Sequence, residues 1–316
     1  MNSPEDRVTI NRELQLGRLL GEGGMGEIFE GFEPGLGSHA AIKILREEHV
    51  DDQTVRQRFD EEARIMAAIE HPGCLPVYGW GTDHNGRPFY AMKQIQGKTL
   101  TDLLEERGPD TKSIVWRRRL LLIFLSACET VAYAHEQGYV HRDLKPDNIM
   151  IDTFGSVYVI DWGISKRLNA QDGTSSQSRT LAGAVMGSPG YMAPEQADGK
   201  TAKAGPEADV FALGVILYEI LTGEAPFQGD TQREAIVHTI NREPENPRKK
   251  NILLGRSITE VCMKALRKEP DRRFRSAIPL AKDIRAYSEG RQVSVTRPSL
   301  IESLVIRIRK KPVRSA

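Results

Sequence analysis

Long apolar runs are missing from this chain. The longest, residues 120–127, is under half of the ~20 residues that cross a bilayer, so no membrane span is expected within the 316 residues. Cysteine is scarce. Cys74, Cys128 and Cys262 are odd in number, far apart and without CxxC spacing, which excludes a cysteine framework and leaves reduced core residues in a reducing compartment. An excess of either charge is also absent: 44 Lys plus Arg against 43 Asp plus Glu leave a formal charge of +1, which gives no support to a general nucleic-acid binder. The first residues, from Met1 to Arg7, lack the apolar stretch behind a basic patch that marks a secretory signal, so a cytoplasmic setting is expected. No internal repeat or low-complexity tract stands out. With 39% hydrophobic residues, the chain can bury a sizeable core, as one large domain or as two lobes.

Between residues 14 and 44 the pattern is short and strand-like. Gly-rich turns separate alternating segments such as Glu27-Ile28-Phe29-Glu30 and Ala40-Ala41-Ile42-Lys43-Ile44, which predicts a small antiparallel sheet. Residues 54–70 change to helical spacing, with Val55, Phe59, Met66 and Ile69 on one face. Glu62 belongs to that apolar face, whereas its neighbour Glu61 is turned about 100° away and is expected in solvent. A carboxylate on a buried stripe needs a partner, and Lys43 is the obvious one. The helix ends at His71-Pro72-Gly73, and the extended run Phe89-Tyr90-Ala91-Met92 leads into a linker over 93–98. Beyond it the chain reads as mostly helical. Residues 120–135 form a long buried helix, and 209–221 are apolar nearly all round, with Thr222-Gly223 as a stop signal. Residues 165–186 are rich in Ser, Thr, Gly and Gln without periodicity, and read as a mobile functional loop.

The chemistry concentrates in His141-Arg142-Asp143-Leu144-Lys145-Pro146-Asp147-Asn148. Asp143 can accept a proton from an attacking hydroxyl, Lys145 can neutralise charge on a transferring phosphoryl group, and Asn148 can hold a magnesium ion. Asp161, in Asp161-Trp162-Gly163, supplies the carboxylate that hard cations prefer. Gly21-Glu22-Gly23-Gly24-Met25-Gly26 matches GxGxxG, a spacing shared with dinucleotide-binding folds. Here a strand rather than a helix follows the glycines, and two strands joined by such a turn can cover nucleotide phosphates with backbone amides. Lys43, seventeen residues after Gly26, can reach those phosphates if Glu62 holds its ammonium. A Gly-rich hairpin and a surface lysine are the plain alternatives for these two features taken singly.

Taken in order, these motifs resemble the protein kinases over about residues 14–288, and the wording Gly-Glu-Gly-Gly-Met-Gly and Tyr-Met-Ala-Pro-Glu-Gln resembles the eukaryotic-like (Hanks-type) serine/threonine kinases of bacteria. The resemblance implies an α+β, two-lobed fold. An N-terminal extension (1–13) would precede a β-rich N-lobe with one helix (14–95) and a mainly helical C-lobe (96–290); a basic amphipathic tail (291–316) would follow. It implies transfer of the γ-phosphoryl group of ATP, with Mg2+ or Mn2+, to serine or threonine of protein substrates. Catalysis would fall to Asp143, Lys145, Lys43 and Glu62, with the metal on Asn148 and Asp161. The nucleotide would be covered by Leu20, Gly21, Glu22, Gly23, Gly24, Met25 and Gly26 and walled by Ile28, Ala41 and Met150. Met92 would be the gatekeeper, and Lys93, Gln94 and Ile95 the hinge.

By the same resemblance, His141 packs in a hydrophobic spine with Met66 and Trp162, and Arg142 clamps a phosphorylated loop. Ser188 offers its hydroxyl to Asp143 and Lys145, Glu195 pairs with Arg273, and Asp209 braces the catalytic loop. Trp162, where phenylalanine is commoner, restricts flipping of its segment. Autophosphorylation is expected at Thr180, seven residues before Gly187, with Thr174, Ser175, Ser176 and Ser178 as alternatives, within a homodimer. Residues 300–314 combine an apolar run with cations, as in a segment drawn to anionic lipid; a packed helix with a basic face is the alternative. The chain is expected in the cytoplasm or as the cytoplasmic part of a membrane-anchored protein. A scaffold that only binds nucleotide, and a kinase of small molecules, are the rival readings. The intact catalytic positions disfavour the first, and the peptide-docking run from 187 to 195 disfavours the second.

Overall fold

The structure, a computed structural model, describes residues 7–9, 13–108, 110–163, 165–167, 188–199 and 204–296. Strand alternation organises the first part. Strands β1 (Arg7–Thr9), β2 (Glu13–Glu22), β3 (Gly26–Glu33), β4 (Ser38–Leu45), β5 (Val77–Thr82) and β6 (Pro88–Met92) form one sheet in the order β1-β2-β3-β4-β6-β5, its neighbouring strands antiparallel. Along β4, Ile42 and Ile44 join a small cluster with Leu14, Phe89 and Ala91 on one face. Ala41 and Leu45, one residue out of phase, join the main core on the other. That second face is covered by α1 (Gln53–Ala68), whose start is capped by Asp52 accepting from the amides of Thr54 and Val55 at 2.8 and 3.2 Å. Phe59, Glu62 and Met66 are buried on one stripe of α1 and Glu61 is exposed, as the helical phase predicts.

Chain direction changes at residues 93–96. The linker is shorter than the spacing implied, because β7 (Gly97–Thr99) already pairs with a strand of the second lobe, β9 (Ile149–Asp152). Helix α2 (Leu100–Arg107) follows, with Thr99 and Asp102 as a reciprocal capping box. The long helix α3 (Ile114–Glu136) begins six residues before the apolar run at 120, because Ser113 caps Trp116 and the first turn, with Ile114 and Val115 exposed, carries no core signal. Strands β8 (Tyr139–Val140), β9 and β10 (Val157–Val159) frame the loop delivered by α3, and β11 (Lys166–Arg167) pairs with β8. Then come α4 (Pro194–Ala197), α5 (Pro206–Thr222), α6 (Gln232–Asn241), α7 (Pro247–Lys250), α8 (Arg256–Ala265) and α9 (Ala277–Ser288). Helix α5 is buried on nearly every side and stops at Gly223, whose φ of 94° suits a residue without a β-carbon. It starts at Pro206, three residues before the apolar run, with proline in the first turn.

The main core runs through both lobes, from Phe59 and Met66 through Leu75 and Trp162 to α5 and α9. Past α9, Val293 is buried and Ser294 bonds the Asp283 carboxylate through its amide and hydroxyl, both at 2.7 Å. All three cysteines are buried free thiols, and burial pushes that of Cys74 up to about 12. Among the described residues no helix is long and apolar enough to cross a membrane. The expected phosphorylation residues Thr174, Ser175, Ser176, Ser178 and Thr180, and the basic segment 300–314, lie outside the described residues.

Candidate active site

A cavity of about 670 Å3 opens between the lobes. Its lining contains nearly every residue assigned to nucleotide binding: Leu20, Gly21, Glu22, Gly23, Gly24 and Met25 from the β2–β3 turn, Ile28, Ala41 and Lys43 from the strands, Met92 to Ile95 from the hinge, and Asn148, Met150 and Asp161 from below. Gly26 is the exception. A β-carbon there would meet the Ile44 carbonyl oxygen at 2.8 Å, so this glycine serves the contact between β3 and β4 instead of the cavity wall.

Lys43 and Glu62 meet as the helical phase requires. The ammonium donates to both carboxylate oxygens at 2.7 and 2.8 Å, with both side chains buried. Burial alone would push the Lys43 ammonium down, but Glu62 and then Asp161 hold it above its ordinary value. Sequence reasoning missed a third member, Tyr90, whose hydroxyl donates to Glu62 Oε1 at 2.8 Å. The signal was available: Tyr90 lies two residues before Met92 on β6 and directly opposite Lys43 in the register, hence on the same face of the sheet. Burial and the nearby Glu62 carboxylate raise the Tyr90 hydroxyl well above its ordinary value, which keeps it a donor. Tyr90→Phe retains the ring packing against Phe59 but removes one donor to a buried carboxylate. It should lower stability by about 1.5–3 kcal/mol, readable as an earlier denaturant midpoint at unchanged slope.

The loop at 141–148 is braced from below by Asp209, at the start of α5. Its carboxylate accepts from the amides of His141 and Arg142, both at 2.7 Å, and His135 Nε2 lies 2.9 Å away. Burial would raise this carboxyl, yet the bond and charge of His135, with His141 and the Arg142 amide, hold it below the usual carboxylate range. The bracing supports a strained backbone, since Arg142 has φ of 70°. Gln196, also absent from the expected set, donates to the Arg142 carbonyl at 2.9 Å.

His141 is fully buried, with its ring 4.6 Å from that of Trp162, its Nε2 3.0 Å from the Ile160 carbonyl and its Nδ1 accepting from the Asp143 amide at 3.3 Å. The Trp162 indole is buried in the same large core as Met66 and donates to the Val159 carbonyl at 3.2 Å. Lys145 Nζ lies 3.8 Å from Asp143 Oδ2. Ser188 reaches Asp143 differently from expectation: its backbone amide, rather than its hydroxyl, donates to Oδ1 at 2.8 Å. The turn at 188–190 presents the amide to the loop, a geometry that side-chain chemistry could not reveal. Glu195 and Arg273 form the expected pair, with both contacts at 2.8 Å.

Two oxygen-bearing side chains that could hold a cation line the cavity, Asn148 and Asp161. Asn148 spends its amide nitrogen on the Asp143 carbonyl at 2.8 Å, which leaves the side-chain oxygen as the acceptor. Asp161, at φ of 64°, presents its carboxylate to the same space. Among the described residues no trio of His, Cys, Asp and Glu could chelate a metal unaided. An amide oxygen plus one carboxylate suits magnesium, which completes its octahedron with water and substrate phosphate. At the hinge, Lys93 Nζ lies over the Tyr158 ring and bonds its hydroxyl at 2.5 Å, tying the linker to β10.

A model of the protein kinase domain matches residues 14–283. The chain belongs to the protein kinase domain family. It is 35% identical over 284 residues to "Serine/threonine-protein kinase PknB" of Mycolicibacterium smegmatis, covering 89% of this chain and 44% of that protein. Its likeness to PknB of Mycobacterium tuberculosis is 34% over 284 residues with the same coverage. To a probable serine/threonine-protein kinase of Corynebacterium efficiens it is 33% over 304 residues, covering 92% of this chain and 44% of the relative. The chain thus spans less than half the length of these relatives. The two lobes, joined at 93–96 around the cavity, are the protein kinase fold.

Proposed function

We propose that this chain transfers the γ-phosphoryl group of ATP to serine or threonine hydroxyls of proteins. The observation that carries this reading is the buried Lys43–Glu62 pair, set at 2.7 and 2.8 Å inside a cavity whose floor holds Asn148 and Asp161. An ammonium held in that position can bind the α and β phosphates without reorganising. Ile28, Ala41 and Met150 offer apolar walls for adenine, with Met92 behind and the hinge at Lys93, Gln94 and Ile95 beside it. Asp143 orients the acceptor hydroxyl and takes its proton, and Lys145, 3.8 Å away, balances charge on the migrating group. Asn148 and Asp161 would hold Mg2+ or Mn2+, which neutralises charge on the phosphates when bound. The names of the relatives support serine and threonine as acceptors, as does the lysine at 145.

The site roles, the lobe limits at 14–95 and 96–290, and a cytoplasmic setting remain part of this proposal, as does contact of segment 300–314 with an anionic membrane surface. Incubating the purified chain with labelled ATP and magnesium, with and without Asp143→Asn, tests the reaction and reports the acceptor residue. Label that is incorporated equally by both proteins would refute it.

Autophosphorylation of the Ser/Thr-rich loop within a homodimer belongs to the same reading, with Thr180 as the first site and Thr174, Ser175, Ser176 and Ser178 as alternatives. Phosphopeptide mapping after incubation with ATP is expected to find phosphate there, accompanied by a rise in activity. A loop that stays unmodified while the enzyme phosphorylates other proteins would remove this part.

A further inference from the structure

The glycine-rich turn is gripped from outside the cavity by the segment that joins β4 to α1. Arg46 Nε donates to the Gly23 carbonyl at 3.0 Å and its Nη2 donates to Glu22 Oε2 at 2.7 Å. The Arg46 backbone amide donates to the Met25 carbonyl at 3.0 Å. His49 Nε2 lies 3.1 Å from the Gly24 carbonyl oxygen, which can only accept, so the ring carries its proton on that nitrogen. The carbonyls of Gly23, Gly24 and Met25 are therefore all drawn toward residues 46–49.

In a planar trans peptide the N–H points opposite to the C=O. The amides of Gly24, Met25 and Gly26 are consequently turned away from Arg46 and His49. Those of Gly24 and Met25 donate to no group among the described residues, and both residues line the cavity. A turn this rich in glycine has unusual freedom to lose when it closes on a ligand. Holding its carbonyls transfers that loss from the binding step to the folding of the protein.

We infer that Arg46 and His49 are positioning residues, which preset the amides of the glycine-rich turn for the phosphate groups of a nucleoside di- or triphosphate. The inference rests on the nucleotide reading proposed above and adds residues outside the cavity lining to it. The rival explanation of the Arg46 contacts is a surface ion pair with Glu22 whose influence on a nucleotide is long-range charge alone.

Dissociation constants of ATP, ADP and adenosine measured on the full chain separate these cases. Arg46→Ala should weaken ATP and ADP roughly fivefold, the equivalent of about one net hydrogen bond at ~1 kcal/mol, while adenosine, which has no phosphates, binds as before. Arg46→Lys keeps the charge but lacks the Nε donor to Gly23, and should show most of the same loss; His49→Ala should move ATP in the same direction. Unchanged ATP binding in Arg46→Ala overturns the inference, as does an equal loss for adenosine. Full recovery in Arg46→Lys, with a deficit in Arg46→Ala that vanishes at high salt, assigns the effect to charge and overturns it too. A wild-type chain that binds neither ATP nor adenosine refutes the nucleotide reading itself.

Discussion

Asp143→Asn is expected to lower phosphoryl transfer by about 10²- to 10⁴-fold, the range for loss of a positioned general base, with no change in folding. The substitution is isosteric, and the amide oxygen can still accept from Ser188 as Oδ1 does at 2.8 Å. Lys43→Met should also abolish transfer, but for a different reason and at a cost in stability. Glu62 is 2% exposed, and without Lys43 its carboxylate retains, among the described residues, the Tyr90 hydroxyl alone. Leaving one buried charge uncompensated costs roughly 3–5 kcal/mol. Lys43→Met combined with Glu62→Gln should recover much of that stability while staying inactive, because a neutral amide needs no counter-charge. Thermal melts and initial rates of the three variants check this. Equal melting temperatures for Lys43→Met and wild type would show that the pair bears on catalysis alone. The Lys43 contribution does not change across the neutral range. The folded-state pKa of Lys43 is raised above its ordinary 10.5, so its contribution is complete below that pH and disappears as the pH rises through the higher folded value.

Arg273→Met should be the most destabilising single change in the helical lobe. All five guanidinium hydrogens are placed: Nε on the Arg267 carbonyl at 2.7 Å, Nη1 on Glu195 and the Glu207 carbonyl, both at 2.8 Å, and Nη2 on Glu195 at 2.8 Å and the Lys268 carbonyl at 2.7 Å. The side chain is fully buried, so methionine would strand a carboxylate and three carbonyls, at roughly 3–5 kcal/mol. Arg273→Lys offers at most three donors from a single point and cannot span this set, so it should recover only part of the loss. Glu195 opens α4, and Gln196 beside it reaches the Arg142 carbonyl. Loosening that anchor should therefore lower activity as well as stability. Urea unfolding of both variants measures the order, and a lysine variant as stable as wild type would overturn the five-donor account.

Much of the candidate site was legible because its signals are local. GxGxxG followed by a strand, the loop from 141 to 148 and Asp161 each sit within a few consecutive residues. The Lys43–Glu62 pair crosses nineteen residues, but helical phase alone puts Glu62 on the buried stripe, and a buried carboxylate demands a cation. Element boundaries were less legible. Helix α3 starts at Ile114 on the strength of a serine cap and an exposed first turn, features that leave no trace in an apolar pattern. Gly26 was counted with the phosphate turn by motif, although the close approach of Ile44 is what excludes a β-carbon there.

Sequence alone showed which groups are available and in what order: the cation, the carboxylates, the amide, and the glycines that allow a tight turn. The tertiary structure alone decided who supports them. His135 meets Asp209 across 74 residues and the Ala277 amide across 142, and Ser188 reaches Asp143 through its backbone across 45. Arg46 and His49 hold carbonyls of a turn more than twenty residues earlier. Periodicity reports the environment of a side chain, buried or wet, one face or the other. It does not report which distant group closes a hydrogen bond, because that depends on how the strands register and how the lobes meet. The chemistry of this site is therefore written in single residues, and its precision in contacts made only when the chain is folded.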